Sequence, residues 1–425
     1  MRRSLEQFGT TEILTSAVKG VPPGATVTVA DLWTRGWNVL RGDTATPVAV
    51  LRRSALSSNI ATMREFCERS GVSLAPHAKT TLSPQVLALQ LEAGAWALTV
   101  AVPSQVALLW SFGVRRVLLA NELVDETALA WVAGELRDRP DRDLLCYVDS
   151  LVGVERAERA FAAAGSARRL HVMVELGHAQ GRTGVRTRAE AVTVAEAVAA
   201  APHLALVGVA GYEGTITADP PEAARAPVEE FLGALGALAL DLHDRGLFDP
   251  DHDVVVSAGG STWFDRVAAV LSPLAAQGMR VVLRSGCYVT HDSGLYARTG
   301  PSTRDGWELA PFVAALEVWT RVVSRPEPGL ALLNAGRRDL SHDAGLPRPL
   351  AARTPHGDDV DVRGATVSAL ADQHAFLRID PVSPLAVGDL VGLGISHPCT
   401  TLDRWPLLLL VDDDYTVTGG ARTYF

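Results

Sequence analysis

The chain has 425 residues, 48% of them hydrophobic and 20% charged, with Gly and Pro scattered throughout. That composition builds a large core and excludes disorder over any long stretch. A net charge of −9 at pH 7, a pI near 5.7 and the lack of a basic stripe exclude nucleic acid as the natural partner. No apolar run approaches the roughly 20 residues that a membrane-spanning helix needs, so no membrane partner is expected.

Residues 1–20 carry two early arginines but are broken by Glu6, Gln7 and Glu12 before an apolar stretch can form, so no secretory signal is readable. Residues 1–45, with Lys19-Gly20-Val21-Pro22-Pro23-Gly24, read as an irregular arm packed on a neighbour. The four cysteines, Cys67, Cys146, Cys287 and Cys399, lie far apart and match no disulfide framework, which points to a reducing cytoplasm.

A strand at residues 46–52 opens the second region, 46–305, and can join a later β-domain. From about residue 70, short β-branched runs alternate with helical patterns. The predicted strands are 72–75, 97–102, 117–120, 144–148, 171–176, 205–211, 253–257 and 280–284, with amphipathic segments such as 84–93, 103–112, 126–136 and 188–200 between them. Eight strands, each followed by a helix-length connection, predict an α/β fold of the (β/α)8 TIM-barrel type rather than an open doubly wound sheet. Residues 306–425 read as strands and turns, a C-terminal β-rich domain.

In a barrel, catalytic groups gather at the loops that follow the strands. The polar residues at those positions are Lys79, Asn121, Asp149, Arg182, Tyr212 with Glu213, Gly259-Gly260-Ser261-Thr262, and Ser285-Gly286-Cys287-Tyr288. Lys79 follows the first strand, where an amine reaches a cleft and can form a Schiff base, although a lysine is more commonly a solvated surface charge. The run Val254–Thr262 reads as a strand, a glycine turn and a helix start. Its backbone N–H groups, hydroxyls and helix dipole suit a phosphate dianion, and the same glycines also suit a simple tight turn. Lysine plus phosphate points to pyridoxal 5′-phosphate. Arg182 is either a donor to the pyridine nitrogen of that cofactor or a surface guanidinium. An Arg at that nitrogen weakens the electron sink and calls for further help with difficult chemistry. Such help is offered by His397 and Cys399. Two residues apart in an extended segment, they face one side and supply a nitrogen and a thiolate suited to zinc, while equally being compatible with a buried structural Cys beside a hydrogen-bonded His.

Taken together, PHAKTTLSPQV around Lys79, GRTGV around Arg182, GYEG around Tyr212, SAGGST, RSGCYVTHD, DQHAFL around His374 and SHPC resemble the D-serine dehydratase and D-threonine aldolase family, within the alanine racemase-like fold-type III pyridoxal phosphate enzymes. The resemblance implies a barrel, a C-terminal β-domain and a head-to-tail homodimer. It also implies that Lys79 holds the cofactor as a Schiff base, that Arg182 faces the pyridine nitrogen, and that Tyr212 lines the ring and its phosphate side. Gly260, Ser261, Gly286, Cys287 and Tyr288, with Gly259, match the phosphate cup, and His397 and Cys399 match the zinc pair of the dehydratases, where the aldolases typically carry Asp in the second position. The lysine segment departs from the family, reading PHAKTT where better-known dehydratases read closer to PHAKTHK. The implied activity is β-elimination of a D-3-hydroxy amino acid such as D-serine to a 2-oxo acid and ammonia. Retro-aldol cleavage to glycine and an aldehyde is the alternative, and a racemase or a non-catalytic pyridoxal phosphate-binding protein comes third.

Overall fold

The computed structural model describes residues 5–425; the first four residues of the arm lie outside the described residues. The chain forms two compact units. One comprises residues 64–79 and 91–286, the other residues 1–63, 80–90 and 287–425.

The first unit is built on eight parallel strands: Ser73–Leu74, Leu98–Val100, Arg116–Glu122, Asp143–Val148, Leu170–Leu176, Leu204–Gly211, Val255–Ala258 and Arg280–Leu283. From the second to the eighth, each pairs with its sequence neighbour, and the eighth pairs with the first through Val282 and Leu283. The ring closes between the first and second strands, where Trp96 N–H donates to Leu74 O at 2.7 Å and Thr99 N–H to Pro76 O at 3.0 Å. Closure removes every sheet edge. The interior is packed with Ala75, Ala97, Leu118, Leu145, Tyr147, Met173, Ala205, Val207, Ala210, Val255 and Val282. Small side chains sit among large ones there, as a tapering barrel requires.

Local sequence sets where the barrel helices begin. Asp125 caps the helix Glu126–Asp138 by accepting from Ala128 N–H at 2.7 Å. Thr187 and Glu190 form a reciprocal capping box at the start of Arg188–Ala199. Such caps stabilise a helix start by about 1 kcal/mol. Their effect is to fix the lengths of the loops that carry polar side chains at the strand ends.

The second unit is built on a ten-stranded mixed sheet. Its long strand Leu316–Glu327 pairs antiparallel with Val48–Arg52 and with Leu390–Gly394, and Val48–Arg52 in turn pairs parallel with Leu407–Val411. The arm differs from the irregular segment expected. Ile13–Thr15 and Thr26–Thr28 form an antiparallel pair, a 3-10 run follows at Val29–Arg35, and Leu14, Val21, Val27, Val29 and Leu32 enter a core with Trp319, Leu407 and Leu409. Alternating apolar residues in a stretch rich in Gly and Pro conceal this burial from pattern reading.

Candidate active-site clusters

In the barrel unit, the chain leaves the first strand at Leu74, and Lys79 lies in the one-turn 3-10 segment Ala78–Thr80. The chain contains only two lysines, a signal that position-by-position reading overlooked. The other, Lys19 in the second unit, is bound to Asp339 at 2.7 Å and lies over the Trp405 ring. Lys79, half-buried, forms no ion pair among the described residues. Two residues before it, His77 is half-buried with its covered Nδ1 unpartnered among the described residues, and its ring is held toward the neutral form, first by burial and then by the nearby cations Lys79, Arg284 and Arg182. Three cations thus converge on a neutral imidazole. The site has the electrostatics of an anion receptor.

Arg182 stacks over Tyr212, 4.4 Å from the ring centroid. Both line a depression with Glu175, Leu176, Gly177, His178, Thr183 and Thr215. His178 Nε2 is 2.7 Å from Thr215 Oγ1, which ties the loop after the fifth strand to that after the sixth. Beside it, Asp149 accepts from Gly184 N–H at 3.1 Å and holds the GRTGV turn in place.

The glycine turn is arranged differently from the expectation. Gly259 has φ +103°, a backbone conformation that only glycine adopts without strain. The N–H groups of Gly259 and Gly260, expected to face a phosphate, instead donate to the two carboxylate oxygens of Glu213 at 3.0 and 2.7 Å. Ser261 and Thr262 follow in a turn, and regular helix begins only at Phe264. A Cβ at Gly260 would approach Tyr212 Cε2 to 3.0 Å, so the turn and the tyrosine ring are in close contact. From the eighth strand, buried Arg284 donates to Ser257 Oγ and Gly211 O, Ser285 Oγ donates to the carbonyls of Gly259 and Gly260, and buried Gly286 follows.

Deeper in the barrel, Glu122 and Glu175 lie near Tyr147, and both Glu122 carboxylate oxygens and the Tyr147 hydroxyl are buried without a hydrogen-bond partner among the described residues. Burial first, then the neighbouring carboxylates of Glu175 and Asp149, push the Glu122 carboxyl up to about 9, which favours its protonated form at neutral pH. Neither this pair nor Arg284 was singled out in the sequence. Glutamates inside a mostly apolar strand are the signal that could have found the pair.

In the second unit, Cys287 opens the 3-10 segment Cys287–Val289. Tyr288 is buried, and its hydroxyl accepts from Gln90 Nε2 at 2.9 Å. Cys399 does not continue an extended segment, as the shared-face argument assumed; it begins the helical turn Cys399–Leu402 after Pro398. It is the proline-induced turn that places it beside His397. Cys399 Sγ lies 3.5 Å from Cys287 Sγ and 3.5 Å from Thr80 Oγ1. His397 Nδ1 lies 2.6 Å from Asp343, which also accepts from Thr400 Oγ1. Hydrogen bonds from Cys287 and His397 hold the Cys399 thiol well below its ordinary range, and the bond to Cys399, with that to Asp343, lifts His397 to about 9. Each side chain thus favours the charged form of the other, and a metal binding between them would have to displace the imidazole proton. Among the described residues, no group of three or more His, Cys, Asp or Glu side chains is placed to hold a metal ion. His397 and Cys399 supply two donors of the kind zinc takes, and Asp343 is the carboxylate that commonly orients a ligating histidine. In the DQHAFL segment, His374 is exposed in the turn between strands Thr366–Leu370 and Ala375–Arg378.

This arrangement, a closed parallel barrel with a lysine after its first strand and a separate β-rich unit, defines the alanine racemase-like fold class. Residues 51–262 match the family model "Alanine racemase, N-terminal domain", and residues 315–411 match the model "Putative serine dehydratase domain". The chain is similar to a D-threonine aldolase of Arthrobacter sp., 28% identical over 87% of this chain and 89% of that one. It is also similar to the D-threo-3-hydroxyaspartate dehydratase of Delftia sp., 27% identical over 89% of this chain and 97% of the relative. The crystal structure of the D-threonine aldolase from Filomicrobium marinum superposes with a TM-score of 0.75 at 26% identity, covering 90% of this chain and 95% of the other. The chain thus carries, in order, an alanine racemase N-terminal domain and a serine dehydratase domain, and is similar over most of its length to D-threonine aldolases and a D-threo-3-hydroxyaspartate dehydratase.

Proposed function

We propose that the protein is a pyridoxal 5′-phosphate-dependent lyase that removes water and then ammonia from a D-3-hydroxy amino acid, with zinc as a second cofactor. One observation carries the reading. Lys79, one of two lysines in the chain and the one without an ion pair among the described residues, stands in a field of cations around neutral His77. A nucleophilic amine in a cationic recess fits an aldehyde cofactor bearing a phosphate. The names of the relatives, two aldolases and a dehydratase of hydroxy amino acids, support the same reaction class.

When bound, pyridoxal phosphate supplies an electron sink for Cα and zinc supplies a Lewis acid for the hydroxyl. In this reading Lys79 would anchor the cofactor and, once displaced from it by the substrate amine, would take the proton from Cα on the face it occupies, which would select the D-enantiomer. Arg182 would face the pyridine nitrogen, and Tyr212 would line the ring and its phosphate side. Ser261, Gly286, Cys287 and Tyr288 belong to the phosphate cup. His397 and Cys399 hold zinc, with Asp343 orienting the imidazole. We place the enzyme in the cytoplasm as a homodimer, a reading consistent with four cysteines that are all free.

Retro-aldol cleavage to glycine and an aldehyde is the second reading, favoured by the two aldolase relatives. Cys399 in the second metal position favours elimination. Incubating the protein with a panel of D-3-hydroxy amino acids, with and without a chelator, and assaying ammonia, 2-oxo acid and aldehyde separates the two. Ammonia and 2-oxo acid from D-serine or D-threo-3-hydroxyaspartate, lost with the chelator, is the expected result. Aldehyde and glycine without ammonia would overturn the elimination reading.

A further inference from the structure

We infer that Glu213 and Ser285 are positioning residues that hold the Gly259-Gly260 turn as a scaffold for the cofactor phosphate, and that these two glycines shape the cup without binding the phosphate through their own N–H groups. The inference deepens the reading above and rests on it. Four backbone polar groups are at issue, and all four have partners. The two N–H groups donate to Glu213 at 3.0 and 2.7 Å, and the two carbonyls accept from Ser285 Oγ at 3.3 and 3.1 Å. Glu213 and Ser285 are both buried.

The two residues come from opposite sides of the turn. Glu213 follows the sixth strand, the turn follows the seventh, and Ser285 follows the eighth. Arg284 adds a third tie by joining Ser257 of the seventh strand to Gly211 of the sixth. A left-handed glycine has many alternative conformations, and a turn clamped through every polar group loses them before a ligand arrives. The phosphate is then presented to the segment beyond the turn, beginning at Ser261. A buried carboxylate would repel a dianion placed on those same glycine amides, so it serves the site only as a scaffold.

A glutamine at 213 offers one acceptor oxygen and turns an NH2 donor toward the second glycine N–H. The test titrates the resolved wild-type protein and its Glu213→Gln and Ser285→Ala variants with pyridoxal 5′-phosphate, with pyridoxal and with inorganic phosphate, and measures thermal melting of each. Glu213→Gln is expected to weaken pyridoxal 5′-phosphate and inorganic phosphate roughly tenfold, and Ser285→Ala roughly threefold, the range for loss of a buried hydrogen bond. Pyridoxal, which lacks the phosphate, should bind each variant within about twofold of wild type, since a positioning role in the cup leaves amine condensation untouched. If Glu213→Gln does not fold, the same split in Ser285→Ala carries the test. Equal or tighter pyridoxal 5′-phosphate binding by the variants, or parallel losses for pyridoxal, overturns the inference. A wild-type chain that takes up neither compound overturns the lyase reading itself, and the inference with it.

Discussion

Two polar clusters, one in each unit, are built from opposite chemistry. In the barrel unit, burial and then the nearby charges of Lys79, Arg284 and Arg182 hold a histidine toward its neutral form. In the β-rich unit, the Cys399 sulfur and the Asp343 carboxylate raise the affinity of the His397 ring for a proton, and so for a cation. Both clusters contain histidine, and what differs is the sign of the neighbours. A ring among cations beside an amine suits a phosphate-bearing aldehyde, and a ring paired with a thiolate suits a soft divalent metal. The same side chain thus reports two different ligands.

The largest effect expected from breaking this contrast is in the β-rich unit. Cys399→Ala should lose bound zinc, read by elemental analysis, and lower elimination by about 10²–10³-fold, while the cofactor absorbance stays at its wild-type value. Loss of cofactor absorbance and thermal stability together would instead mark a structural metal. Asp343→Asn should sharpen the same point with a smaller effect. It removes the carboxylate that fixes the His397 ring, and zinc affinity, measured by competition with a chelator, should fall about 10-fold or more.

On the barrel side, Gly260→Val drives a side chain into the Tyr212 ring, 3.0 Å from the new Cβ. We expect cofactor retention through dialysis to fall by an order of magnitude, about 1.4 kcal/mol, in a variant that still folds. A folded variant with unchanged retention would separate this turn from the cofactor.

The smallest effect concerns the protonated carboxyl beneath the cluster. Glu122 titrates from 4.5 to about 9 on folding, so the folded state binds more protons than the unfolded state between those values. Stability therefore falls as pH rises from about 5 through 9, and that part of the fall should disappear in Glu122→Gln. Urea unfolding at pH 6 and pH 9 measures it. A wild type whose pH dependence matches the variant's would show that Glu122 is ionised in the folded protein.

The barrel was legible in the sequence because most of its strands carry a β-branched run followed by a helix of the right length, and strand 170–176 differs by only one residue from the predicted 171–176. The strand ends were legible for the same reason, so Lys79, Arg182, Tyr212 and Gly259 could be picked out as loop residues. Their partners were less so. Asp343 sits in an irregular segment with no periodicity to mark it, and Glu213 was visible at a strand end without any sign that its carboxylate turns onto the glycine amides. Glu122 stands opposite Tyr147 on the neighbouring strand, a juxtaposition that only register reveals. Short-range patterning specifies elements, whereas the partners of a buried polar atom depend on strand pairing between distant residues.

The claim that Lys79 is the cofactor lysine has a clean test, because the chain offers only one other lysine and that one is bound to Asp339. The protein is loaded with pyridoxal 5′-phosphate, reduced with borohydride, digested and mapped by mass spectrometry. The account predicts a single pyridoxyl adduct, on the peptide containing Lys79, and no fixed cofactor in Lys79→Ala. An adduct on Lys19 or on the amino terminus, with the Lys79 peptide unmodified, would contradict it.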